Sequence, residues 1–369
     1  HEHAFSQATH GACVLCDAMG SPNSGVGAGE AERGSEGSPA ISSEITDRTA
    51  PRLSVAMRTM QGHKDAVVCL AADLSGARLV SGSADGTCRV WDLRAPGGAR
   101  GIHAAIVGEV SAVALGEETL LVASGMDLLA FDLAKVLLRE PSRRLEALAA
   151  EEINEVVVDV AGRLAAVAED SGAVHLVNLH TWRLERTFAG KRGHTNLCSS
   201  VALRPGRDWG LASGGMDAAV ILWQRSGRAH TVSMRTQDDE RSAGVVHGPQ
   251  LCNPPFVHSL VYAPSGETLF AGLGDGSLVV LNAATGEQLQ RLRGGHAAAV
   301  CQVTCAPCGV ITGGNDQAIC LWRYTGKELS ERPEVRLRHK EKINWLTWAA
   351  DELFVADLGC GIAAYAGLR

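Results

Sequence analysis

The chain has 369 residues, 46% of them hydrophobic and 4% aromatic, with a formal net charge of −7. No run of eighteen apolar residues occurs, which excludes a membrane-spanning helix. The charge is uneven: residues 1–50 hold seven acids and two arginines, a net −5, leaving −2 and no basic stripe for the rest, which argues against direct nucleic-acid binding as a main activity.

Residues 1–50 are rich in Gly, Ser, Ala and Glu without a sustained hydrophobic period, and are expected to form a disordered tail. The first residue is not Met, as in a fragment or processed form, and no basic segment leads into an apolar core, so no secretory signal is visible. Cys13-Val-Leu-Cys16 with His1, His3 and His10 nearby resembles half a zinc site. A second ligand pair at standard spacing is missing, so no metal or other cofactor is expected. Cys69, Cys88, Cys301 and Cys320 lie in apolar strand runs, where reduced thiols act as small hydrophobes. That usage points to cytoplasm or nucleus.

Leu53 to Met60 reads as a lone strand. After it, Leu79-Val80-Ser81-Gly82-Ser83 and Thr87 to Asp92 read as two strands around Asp85-Gly86, a turn in which glycine supplies the positive φ. The pattern returns from Leu211 to Trp223 and from Ile311 to Trp322. Each copy carries four anchors: His63, Ser81, Asp85 and Trp91; His194, Ser213, Asp217 and Trp223; His296, Thr312, Asp316 and Trp322. The hydroxyl stands ten residues before the Trp, the Asp six before it, and each His follows a Gly. These residues resemble the WD-repeat family, whose Gly-His and Trp-Asp dipeptides bracket a four-stranded propeller blade of roughly 40–45 residues. The resemblance implies a buried His–hydroxyl–Asp–Trp hydrogen-bond chain in each blade. A Ser-His-Asp hydrolase triad is the competing reading, but a triad needs one copy at one cleft and this set occurs three times.

Between the strong copies lie weaker ones. Val110 to Leu115, Leu120 to Ser124 and Leu128 to Asp132 give three strands of a second blade, with Phe131 in the Trp position. Residues 134–150 read as helical from Arg144-Leu-Glu-Ala-Leu-Ala, although blade spacing demands an outer strand there; the conflict stays open. Ile153–Asp159, Leu164–Ala168 and Ala173–Asn178 give a third blade. Residues 235–250 read as a polar insertion before blade five, whose turn is Gly274-Asp275-Gly276. A seventh copy runs from His339 to Tyr365 without the Asp–Trp spacing. The expected fold is all-β: a seven-bladed WD-repeat β-propeller over residues 51–369. The family resemblance has the lone first strand complete the last blade, which removes free edges.

Aligned first strands place Val68, Ser111, Asn154, Ser199, His258, Cys301 and Asn344 at one equivalent position. In WD-repeat proteins this position, and the residue before the turn Asp (Met216 and Asn315), faces the partner surface. A solvated channel rim explains the polarity as well as a peptide site does. Leu79 to Arg94 is also similar to the W-D-x-R box of cullin-4 ligase substrate receptors, departing only at Cys88. That likeness implies that Asp92 and Arg94 meet the damaged-DNA-binding adaptor. Cys305-Ala-Pro-Cys308 lacks the following helix of a thioredoxin-type site. The expected function is a non-catalytic protein-interaction scaffold, a monomeric propeller within a larger complex that binds proteins or peptides, such as a cullin-4 receptor. The alternatives are a scaffold of a chromatin or other nuclear complex, or a propeller enzyme using His258 at the channel mouth.

Overall fold

A computed structural model describes residues 55–73, 75–95, 101–105, 108, 110–134, 140–206, 209–227, 229–236 and 253–368. The expected tail, with Cys13 and Cys16, lies outside the described residues, as does most of the expected insertion before blade five.

The described chain forms seven four-stranded antiparallel sheets, each built from consecutive strands except one. The first strands of the blades are Val67–Ala72, Ala112–Leu115, Ile153–Val158, Cys198–Leu203, Val257–Tyr262, Val300–Ala306 and Ile343–Ala349. Consecutive first strands touch in a closed ring, the seventh returning to the first. The exceptional sheet explains the closure. Ala56–Gln61 joins the C-terminal strand Gly361–Ala366 in register, Met57 opposite Tyr365 and Met60 opposite Ile362, so both ends of the described chain complete blade seven. Edges that would otherwise template aggregation are thereby paired.

Hydrophobic alternation along each strand sends side chains to both faces of its sheet, and the core accordingly divides into seven clusters, each between two neighbouring blades. Val113 and Phe131 of blade two meet Val80 and Val90 of blade one. Trp223 of blade four meets Phe188 and Leu176 of blade three. Met60 and Ile362 of blade seven meet Trp91 and Val67 of blade one. Phe131 fills the Trp position of blade two with no exposure, which keeps that blade's packing without its polar chain. Residues 143–145 form its outer strand, paired to Leu128–Ala130, and residues 140–150 contain no helix. Blade geometry overrides the local helix preference there, because the third strand would otherwise present an unpaired edge.

The strand register defines two faces. Val67 pairs with Ser83 beside the Asp85-Gly86 turn, whereas Arg78 pairs with Asp92 at the other end. Gly86 takes φ +76° in that turn, and the equivalent residues of blades four and six, Ala218 and Gln317, are held at φ +59° and +64°. Those two non-glycine residues occupy the left-handed region at a cost.

Candidate functional site

The buried polar chains decide which of the conspicuous His, Ser and Asp side chains are open to a ligand. In blade six, His296 Nδ1 lies 3.0 Å from Asp316 Oδ1, His296 Nε2 lies 2.7 Å from Thr312 Oγ1, and Trp322 Nε1 donates to the same hydroxyl at 3.0 Å. Blade four repeats this with His194, Asp217, Ser213 and Trp223, and blade one with His63, Asp85, Ser81 and Trp91. Burial works to raise Asp316, but hydrogen bonds from His296 and the Ala297 N–H hold its carboxyl far below the usual range. The carboxylate therefore accepts from Nδ1–H. Nε2 then accepts from the hydroxyl, and the hydroxyl oxygen accepts from the indole. Every donor has one acceptor. Asp85 is likewise worked upward by burial, yet bonds from Thr87 and the Lys64 N–H bring it to about 2. Ser81, Ser213 and Thr312 are completely buried. Their oxygens are occupied by indole N–H groups and no substrate reaches them, so the triad-like set is structural.

Three further blades build equivalents that the spacing conceals. In blade seven, His339 Nε2 meets Asp357 Oδ2 at 2.8 Å and Nδ1 meets Tyr365 OH at 2.6 Å, so a phenol replaces the hydroxyl and indole together. In blade three, His175 bridges Glu169 and Thr187. In blade five, Arg291 donates to Asp275 at 2.6 Å.

The residues aligned as a partner rim turn out to share a backbone feature. In six blades they are the extra residue of a β-bulge, between Val67 and Cys69, Ile153 and Glu155, Cys198 and Ser200, Val257 and Ser259, Val300 and Gln302, and Ile343 and Trp345. A bulge re-aims its side chain. Asn154 Nδ2 donates to Asp170 Oδ1 at 2.8 Å and to Cys198 O of the next blade at 2.9 Å. Asn344 Nδ2 donates to Val67 O at 3.0 Å and Asp357 O at 2.9 Å, joining blade seven to blade one. Ser199 donates to Gly214 O and to Val257 O of blade five. Cys301 Sγ donates to Asn315 Oδ1 at 3.0 Å. Met216 is buried, and the side chain of His258 abuts Gly274. At three of the aligned positions, Asn154, Ser199 and Asn344, the side chain thus ties one blade to the next.

The next residue inward makes a second ring. Glu155 Oε2 accepts from Val201 N at 2.7 Å, Ser200 Oγ from Leu260 N at 2.9 Å, and Ser259 Oγ from Val303 N at 3.1 Å. Each side chain caps a backbone N–H of the following blade. Glu155 is the one carboxylate among them; burial pushes it up to about 7 against the bonds from Val201 N–H and Ser200. It also lines a groove of 1050 Å³ on the face opposite the bulges, across the first three blades, whose walls include Leu115, Asp92 and Arg94 and, from blade seven, Trp345. Asp92 Oδ1 accepts from Arg94 N at 2.9 Å, which fixes the turn carrying the exposed Arg94. Asp92 and Arg94 therefore lie at the far end of the blades from Asn154, Ser199 and Asn344. Sequence reasoning missed Glu155, and only its charge within an apolar strand pointed to it.

Cys305 is pushed by burial to about 12, and burial also raises Cys308. Neither thiol supplies the thiolate a redox pair needs. Among the described residues no three histidines, cysteines or acids converge as a metal site.

The family model described as "WD domain, G-beta repeat" matches residues 54–92 and 182–224. The chain is 25% identical over 335 residues to the WD repeat-containing protein 53 homolog of Dictyostelium discoideum, covering 80% of this chain and 90% of that one. The chain is similar to WD-repeat proteins in both comparisons. A repeat-sized stretch of 51 residues is 49% identical to the ribosome biogenesis protein YTM1 of Ajellomyces capsulatus, 14% of this chain and 10% of that protein. Its fold is similar to the WD40 β-propeller domain of Doa1, with TM-score 0.69 and 15% identity over 86% of this chain and 98% of that one. A WD-repeat propeller of this kind suggests a protein-interaction scaffold and is typically non-catalytic.

Proposed function

We propose that this WD-repeat propeller is a substrate receptor of a cullin-4 RING ubiquitin ligase, acting in cytoplasm or nucleus, with Asp92 and Arg94 docking the damaged-DNA-binding adaptor. The observation that carries the reading is the fixed turn after blade one's third strand. The Asp92 carboxylate is spent on the Arg94 N–H, and Arg94 itself is exposed at the groove. A planar guanidinium presented from that turn can stack and hydrogen-bond on a partner. The opposite, bulge-bearing face is left to recruit the client, so that client and adaptor need not compete.

The test is co-purification of the adaptor with the wild-type chain and with Arg94→Ala. Wild type retains the adaptor and the variant loses it with an unchanged melting profile. Equal capture by both removes the mechanism. A second reading, a scaffold in a chromatin or other nuclear complex, is favoured by the stretch shared with a protein named for ribosome biogenesis. Pull-downs containing such a complex and no adaptor would select it.

A further inference from the structure

The groove across blades one to three holds a charge the fold does not require. Cys69, Glu155, Ser200 and Ser259 all do one structural job, accepting a backbone N–H from the next blade. A neutral oxygen or sulfur suffices for that in three of the four. An ionisable carboxylate adds a desolvation cost without adding a staple, and such a breach of local rules marks a functional position. Glu155 is only 7% exposed, yet it lines the groove, and the contacts it makes among the described residues are with the Val201 N–H and Ser200. Five carboxylates and two guanidiniums, Arg78 and Arg94, line the groove, while Leu115, Val113 and Trp345 make part of its wall apolar.

We propose that this groove receives a basic side chain, the lysine or arginine of a partner protein segment, with its aliphatic stem along the apolar wall and its charge at Glu155. The charge balance selects a cation. The absence of a three-ligand cluster among the described residues disfavours a bare metal ion, and the apolar wall suits a side chain that buries its stem and keeps a charged tip. Because burial holds Glu155 near neutrality, occupancy by a cation is coupled to loss of its proton, and binding strengthens as pH rises. The inference does not rest on the adaptor reading, and the outcome for Arg94→Ala in adaptor capture is scored separately.

The experiment titrates the full chain calorimetrically with a blocked heptapeptide carrying one central arginine between leucines, and with its lysine and citrulline counterparts. Binding of the arginine or lysine peptide at pH 8 is expected, at least tenfold weaker at pH 5.5, at least tenfold weaker for citrulline, and at least tenfold weaker for Glu155→Gln. The glutamine keeps an oxygen for the Val201 N–H. Leu115→Arg, which plants a cation on the groove wall, is a second variant expected to lose binding, and it decides the matter if Glu155→Gln unfolds. No binding of either basic peptide to wild type overturns the proposal. So does citrulline or Glu155→Gln binding within twofold of arginine and wild type.

Discussion

Thr312→Val isolates the polar chain of blade six. The substitution deletes one hydroxyl and keeps the branched shape, so packing changes little. Thr312 is completely buried and Trp322 is 1% exposed, so water cannot take the hydroxyl's place. Two groups lose their partner, the indole N–H at 3.0 Å and the imidazole nitrogen at 2.7 Å. Each orphan costs about 1–3 kcal/mol, so the variant is expected to lose about 2–6 kcal/mol. Trp322→Phe in the same background removes the orphaned donor. The double variant is then less destabilised than the two single changes combined, by about 1–2 kcal/mol, because the lost ring volume cancels in the cycle. Urea unfolding at pH 7 with an unchanged slope gives the free energies, and amide exchange in residues 309–322 reports whether the loss is local. A cost below about 1 kcal/mol for Thr312→Val, or additivity within about 0.5 kcal/mol, refutes the claim that this chain stabilises the blade.

Other perturbations test separate parts of the account. Gln317→Gly relieves a left-handed φ of +64° and is expected to stabilise by about 0.5–1 kcal/mol after glycine's own entropy cost, read from the urea midpoint; destabilisation contradicts it. Asn344→Ala removes one bond across the blade seven–blade one seam and one within blade seven and is expected to cost about 2 kcal/mol, with exchange rising first in residues 56–61 and 361–366. Glu155 titrates at about 7 when folded against an ordinary 4.5, so the folded state holds the extra proton between those values. Its contribution to stability is complete below pH 4.5 and falls by about 3 kcal/mol as pH rises through 7; Glu155→Gln is expected to abolish that slope. Asp85, Asp217, Asp316 and Asp357 are all depressed, so their contribution is present above the ordinary carboxyl range and is lost as pH falls through the acid region, a window separate from that of Glu155.

What the sequence disclosed was local. Ser81, Asp85 and Trp91 sit at constant offsets because they occupy one hairpin, and hairpin geometry converts spacing into contact. Tyr365 escaped notice because it lies eight residues after Asp357 and replaces a hydroxyl and an indole at once. His175 lies on the third strand of its blade, where the strong copies place their His before the first, so its bond to Glu169 left no familiar interval. Residues 134–150 read as helical because propensity is a property of the segment, whereas the need to cover an edge belongs to the sheet. Glu155 was hidden for the opposite reason: its partner amide is 46 residues away on another blade, and no periodicity within Ile153–Val158 foretells it.

The two faces differ in how a binding defect should be interpreted. On the bulge-bearing face, Asn154, Ser199 and Asn344 spend their hydrogen-bonding groups on backbone of neighbouring blades, so substituting them loosens a seam as well as altering a surface. Lost binding there does not by itself locate a contact. On the opposite face, Arg94 is exposed and its turn is fixed by Asp92, so Arg94→Ala removes a guanidinium while leaving the Asp92–Arg94 backbone bond in place. A partner that is lost in Arg94→Ala at unchanged stability touches that face. One that is lost in Asn344→Ala only in step with stability has been lost through the seam.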